Sequence, residues 1–180
     1  MKNKVTFLIP YFGKLPNYFD LFLKSCEYNK VGGYNWIVFT DDNTVRRWPD
    51  NVSCIAMTFD ELKEKIQSKF GFGIKITEPH KLCDYKPAYG YIFEDYLKEA
   101  DYWGHCDIDT ILGNLDKFLG DLLNQNYAKL FALVIWNYIK IHMIIIGYLC
   151  CPLRENIYIR NHFLRAEQRF LMKWEVGQKM

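Results

Sequence analysis

The chain has 180 residues, 50% of them apolar, which is enough for one domain with a substantial core. Its 23 basic and 21 acidic residues nearly cancel, and no basic run of the kind that tracks a phosphate backbone occurs, which argues against nucleic acid as a partner. Six cysteines, at 26, 54, 83, 106, 150 and 151, form no C-x-x-C pair, so neither a zinc site nor a disulfide framework is indicated and reduced thiols in a cytoplasmic protein fit best.

The opening "MKNKVTFLIP" has too short an apolar run for a signal peptide and reads as a first strand ended by Pro10 and the turn residues of "YFGKLPN". "YFDLFLKSCEYN" spaces Phe19, Phe22, Leu23 and Cys26 as a helix does. "WIVFT" repeats the pattern of a buried strand and stops at Asp41 and Asp42. "VSCIAMTF" predicts a third strand, and "FDELKEKIQSKF" an amphipathic helix with Asp60 as its cap. Pro87 suits the first turn of a helix over residues 87–98, which leads into a fourth strand, "YWGHCD". Strands alternating with helices predict an α/β fold: a mostly parallel sheet with helices on both faces.

In such sheets ligands gather at the carboxyl ends of the strands. Three polar clusters fall there: "PYFGK" after the first strand, "TDDN" after the second and "DID" after the fourth. In "YWGHCDIDTILGNL" an extended backbone would put Asp107 and Asp109 on one side and Ile108 inward. Two carboxylates so placed make a hard-oxygen site for Mg2+ or Mn2+, completed by water and phosphate oxygens. The alternative is a solvated turn in which Asp109 caps a helix starting near Gly113 or Asn114. His105 alternates with the aspartates, but a histidine at a strand end is more often structural.

Together with "VTFLIPYFGKLPNYFDLFLKSC", "WIVFTDDN" and "KLCDYKPAYGYIF", this segment resembles bacterial GT-A glycosyltransferases, the small capsule and exopolysaccharide-locus proteins with an H-x-D-x-D motif; the resemblance covers residues 4–131. It implies a GT-A-like nucleotide-diphospho-sugar transferase fold, truncated on its acceptor side. Asp107 and Asp109 would hold a divalent cation, Mn2+ or Mg2+, that bridges the two phosphates of a nucleotide-sugar donor, with a UDP-sugar favoured. Pro10 and Tyr11 would flank the base, and Asp41 would contact base or ribose. Lys81, Asp84 and Lys86 resemble the segment that approaches the donor. A lysine there suits diphosphate as a point charge and Asp84 a sugar hydroxyl, while an ordinary salt-bridged helix start is the plainer alternative. The implied acceptor is a glycan or a lipid-linked glycan, at the inner face of the plasma membrane through peripheral association. No residue stands out as the catalytic base.

The tail reads differently. The first 121 residues hold twelve aspartates and the remaining 59 none. Residues 130–151 are long and apolar enough to suggest a membrane span, but Asn137, Lys140 and His142 interrupt them. Reading the implied codons from their third base turns Trp136–Asn137 into glutamate, Met143–Ile144 into aspartate, Met172–Lys173 into glutamate and Trp174–Glu175 into glycine, because Trp and Met have one codon each. Acids and turn residues return throughout. The expected organisation is therefore a nucleotide-sugar-binding domain over residues 1–131 and an aberrant, frameshifted tail over 132–180, which would leave this product without an acceptor half and inactive.

Two rivals remain. "DIDTIL" is similar to the D-x-D-x-T pattern of haloacid dehalogenase-like phosphatases, but that motif ends a first strand and carries its threonine two places after the second aspartate, whereas Thr110 is adjacent to Asp109. The other is a noncatalytic membrane-associated fragment anchored by residues 130–151. Resequencing the locus is expected to reveal an inserted or deleted base near codons 131–133; an uninterrupted frame there would dismiss the frameshift.

Overall fold

A computed structural model describes residues 3–125 in full and the backbone of residues 129–130 and 145–148. The chain divides into two units, Met1–Leu149 and Cys150–Met180, and all described residues belong to the first.

In chain order the elements are β1 (Val5–Pro10), α1 (Phe19–Tyr28), β2 (Tyr34–Thr40), β3 (Val52–Ala56), α2 (Phe59–Lys69), a 3-10 helix over Pro79–Ala88, α3 (Tyr89–Ile92), a 3-10 turn over Glu94–Tyr96, β4 (Tyr102–His105), α4 (Leu115–Leu123), β5 (Lys129–Leu130) and β6 (Ile145–Tyr148). The strands form one sheet in the order β3-β2-β1-β4-β6-β5. The first four are parallel to one another, and β6 and β5 continue the sheet antiparallel. The expected α/β architecture is thus present as a four-strand parallel sheet flanked by helices.

β1 is the apolar centre of this sheet and is buried on both faces, as its apolar run, interrupted by the buried Thr6, requires. On one face Phe7 stacks on Trp36, with ring centroids 5.3 Å apart. Val5, Phe7, Ile9, Trp36 and Val38 there meet Phe19, Phe22, Leu23 and Cys26 of α1 and Leu115, Leu119 and Leu123 of α4. Those helical residues recur every three or four positions, so each helix turns one apolar stripe to the sheet. Phe39 stacks on Phe93 at 4.3 Å, and α2 buries Leu62 and Ile66.

Local chemistry departs from expectation at three places. Asp60 does not cap α2. Thr58 does, through a capping box in which its hydroxyl accepts the Glu61 N–H at 3.2 Å and the Glu61 carboxylate accepts the Thr58 N–H at 2.7 Å. Asp60 instead ion-pairs with Lys63.

The helix expected over residues 87–98 is broken into a 3-10 helix that contains Pro87, one turn of α-helix and another 3-10 turn. Pro87 brings no N–H, and Gly90 has poor helix propensity. Gly90 is there for packing: a Cβ on it would run into the indole of Trp103 in β4.

β4 ends at His105, two residues before the aspartate pair, and Ile108 and Asp109 lie in a turn. Residues 145–148 fall in the segment expected to lack a fold, yet their backbone pairs with β4. The remainder of 132–180, and with it nearly all of the apolar stretch 130–151, lies outside the described residues. Among the described residues no helix is long and apolar enough to cross a membrane.

Gly90→Ala separates packing from propensity. Helix propensity alone would make alanine stabilising by about 1 kcal/mol. The clash with Trp103 is expected to reverse that sign and cost about 1–3 kcal/mol, read as a lower urea midpoint.

Candidate functional site

The chain runs from β1 outward through β2 and β3, then crosses back to place β4 on the other side of β1. At such a reversal the loops leaving the two central strands diverge and open a crevice at their carboxyl ends. The residues singled out from the sequence lie on these loops or on the segment that faces them.

The loop after β1 is held by the end of β2. The Tyr11 N–H donates to the Phe39 carbonyl at 2.8 Å. The Gly13 N–H donates to Asp41 Oδ1 at 2.7 Å and the Leu15 N–H to Asp42 Oδ2 at 2.8 Å. Gly13 has φ +95°, a left-handed backbone that glycine adopts without strain, and this aims its amide at Asp41.

Asp42 also accepts the Thr44 N–H at 2.8 Å and lies 3.8 Å from Arg46, which in turn pairs with Asp20 at 3.0 Å. Hydrogen bonds from Thr44 first, then the Leu15 amide, with Arg46 a smaller contributor, hold the Asp42 carboxyl at about 2. Asp41 is exposed, so any contact it offers a nucleoside comes from a side chain already anchored to Gly13. Pro10 closes β1, and the Tyr11 ring packs partly buried against the core. Asp42 was missed as a structural residue, although "TDDNT" carries the signal of an aspartate that bonds the backbone two residues on.

After β4, burial alternates. His105 and Cys106 are buried, Asp107 is exposed, Ile108 is buried and Asp109 is exposed. The two carboxylates therefore reach solvent while Ile108 anchors the turn in the core, as expected, although the backbone there is a turn and not a strand. His105 lies edge-on to Tyr89, centroids 6.0 Å apart, which is a structural position. Burial pushes the Cys106 thiol up to about 12. Asp109 does not cap the following helix: Asn114 does, accepting the Lys117 N–H at 3.0 Å.

A buried asparagine fixes this loop from behind. Asn29 donates to the Gly113 carbonyl at 2.8 Å and the Ser25 carbonyl at 2.9 Å, and accepts the Leu115 N–H at 2.8 Å. The sequence gives no sign of that role.

Of the "KLCDYKP" residues, Lys86 reaches the pair: its Nζ lies 2.6 Å from Asp107 Oδ1. Lys81 and Asp84 occupy earlier positions of the same 3-10 helix, Lys81 partly buried and Asp84 exposed. The broken helix start delivers Lys86 here, since the Lys86 carbonyl accepts the Tyr89 N–H and Tyr89 is itself tied to the Leu82 carbonyl at 2.9 Å.

Asp107 and Asp109 offer the class of donor that a divalent cation takes. The donors are hard carboxylate oxygens, and Asp107 already meets a cation in the Lys86 ammonium. Among the described residues no group of three or more His, Cys, Asp or Glu converges, so two carboxylates would leave the remaining positions to water and phosphate oxygens, the usual pattern for Mg2+. A cleft of about 380 Å3, lined by Thr6, Asn35, Ile37, Ser53 and Tyr96 among others, opens at the opposite, amino ends of the strands. In open parallel sheets ligands ordinarily bind at the carboxyl ends of the strands, where the candidate residues stand, rather than at the amino ends.

Residues 7–141 match a family described as "Family of unknown function (DUF6625)", a span that holds every candidate site residue. No curated protein matches.

Asp42→Asn tests the latch on the β1 loop. A carboxyl held below its unfolded value of about 4 stabilises the fold above that pH, and the stabilisation disappears as pH falls towards about 2. The variant is expected to be less stable than wild type at pH 7, with the difference between their urea midpoints closing between about pH 4 and 2.

Proposed function

The chain belongs to this family of unknown function, and we propose that its intact form is a metal-dependent glycosyltransferase. It would move a sugar from a nucleotide-sugar donor, a UDP-sugar by preference, to a surface polysaccharide or its lipid-linked precursor. In this reading the described α/β domain supplies the donor-binding side of a GT-A-like fold. The work would take place in the cytoplasm, against the inner face of the plasma membrane.

One observation carries this reading. Two exposed aspartates bracket a buried isoleucine at the carboxyl end of the strand beside β1, with an ammonium already on one of them. That arrangement suits a cation and a diphosphate better than a bare turn does, because it presents two hard-oxygen donors to solvent beside a positive side chain.

In the proposed site Asp107 and Asp109 hold Mn2+ or Mg2+. When bound, such an ion neutralises charge that develops on the departing nucleoside diphosphate. Ile108 keeps the two carboxylates at the rim by anchoring the turn between them. Tyr11 and Pro10 border the nucleoside, and Asp41 and Asp42 keep that loop in place through the Gly13 and Leu15 amides. Lys86, Lys81 and Asp84 line the approach to diphosphate and sugar.

A phosphatase of the haloacid dehalogenase type fits less well. Its nucleophile ends a first strand, whereas this pair follows β4, and the Thr110 hydroxyl is buried.

Titration of the 180-residue chain with UDP, GDP and CDP, with and without Mn2+, is expected to show metal-dependent binding of at least one of them. Asp109→Ala is expected to weaken it by at least tenfold, as loss of a charged ligand group does. Affinity indifferent to Mn2+ and to Asp109 would end the proposal, and hydrolysis of an aryl phosphate that Asp107→Asn abolishes would replace it with the phosphatase.

A further inference from the structure

The pairing of Lys86 with Asp107 raises a question of charge. Nζ lies 2.6 Å from Oδ1, on the carboxylate proposed to hold the cation. Neither side chain is freely solvated: Lys86 is 23% exposed and Asp107 48%. The lysine stem is confined by the 3-10 helix, whose last turn it occupies just before Pro87. Among the described residues the ion pair that geometry gives Asp107 is with the Lys86 ammonium, 21 residues away in the chain.

An ammonium and a divalent ion cannot share one carboxylate oxygen at contact distance without mutual repulsion. We propose that Lys86 is an exchangeable counter-ion: it neutralises Asp107 until a divalent cation arrives, yields that oxygen to the metal, and then turns its ammonium to the diphosphate. The inference rests on the glycosyltransferase reading and adds an order of events to it. Lysine suits both stations, being a compact point charge on a flexible stem with three donors, whereas arginine's fixed fork favours a single bidentate partner.

The signature is a pair of opposite changes, which a merely structural lysine would not produce. In the 180-residue chain, Lys86→Met is expected to bind Mn2+ alone about fivefold more tightly, the gain from removing a partly exposed competing ion pair. At saturating Mn2+ the same variant is expected to bind the preferred nucleoside diphosphate among UDP, GDP and CDP about tenfold more weakly, having lost a charge-assisted hydrogen bond. Lys86→Arg, which keeps the charge, should leave Mn2+ affinity close to that of wild type. Both affinities are read by calorimetry, with Mn2+ also followed by its electron paramagnetic resonance signal. If Lys86→Met binds Mn2+ no better than wild type, or binds both ligands more weakly, the exchange is overturned while the metal site stands. If wild type binds neither Mn2+ nor a nucleoside diphosphate, the glycosyltransferase reading falls and the exchange with it.

Discussion

Parallel strands leave their last amides and carbonyls pointing into loops, and the described structure depends on how those groups are satisfied. At the rim of this sheet backbone carbonyls take the first amides past the strands, such as that of Tyr11, and side chains satisfy the loops beyond. Asp41 and Asp42 take the amides of Gly13 and Leu15, and Asn29 takes the amide of Leu115 while giving its own protons to Gly113 and Ser25. All but the Asn29–Ser25 bond join segments distant in sequence, so the loops are fixed relative to one another and not merely to their own strands. An unmet amide in these positions costs about 1–3 kcal/mol where it is buried, enough to explain why polar residues hold interior places here.

The same economy of charge shapes the candidate site. Asp42 spends its charge on backbone amides and Arg46, and becomes part of the scaffold. Among the described residues the counter-charge of Asp107 is a lysine side chain. A carboxylate bonded to backbone cannot be released without unfolding a loop, whereas one paired to a side chain can change partner by a rotamer shift. That difference in what holds them separates a structural aspartate from one suited to ligand chemistry, although both stand at strand ends and look alike in the sequence.

Much of the architecture was legible because its signals are local and periodic. "VTFLIP" and "WIVFT" announce buried strands by their predominantly apolar runs, and the three-to-four spacing of Phe19, Phe22, Leu23 and Cys26 announces α1. The alternation of Asp107, Ile108 and Asp109 was also legible, down to which residue is buried. The misreadings have particular causes. Asp60 and Thr58 are both good caps, and the choice fell to Thr58 because Glu61 lies three residues beyond it. The segment over 87–98 looked like one helix because the contact that breaks it, Trp103 against Gly90, comes from another strand.

What the sequence determined by itself was the set of elements, the apolar faces they bury and the polar clusters at their ends, since each follows from the spacing of neighbouring residues. Only the tertiary structure decided which clusters meet. It set β4 beside β1, brought Lys86 to Asp107 across 21 positions and tied Asn29 to Leu115 across 86. These pairings depend on strand order and on the broken path of residues 79–96, and strand order is fixed by the packing of whole faces, which no local pattern records.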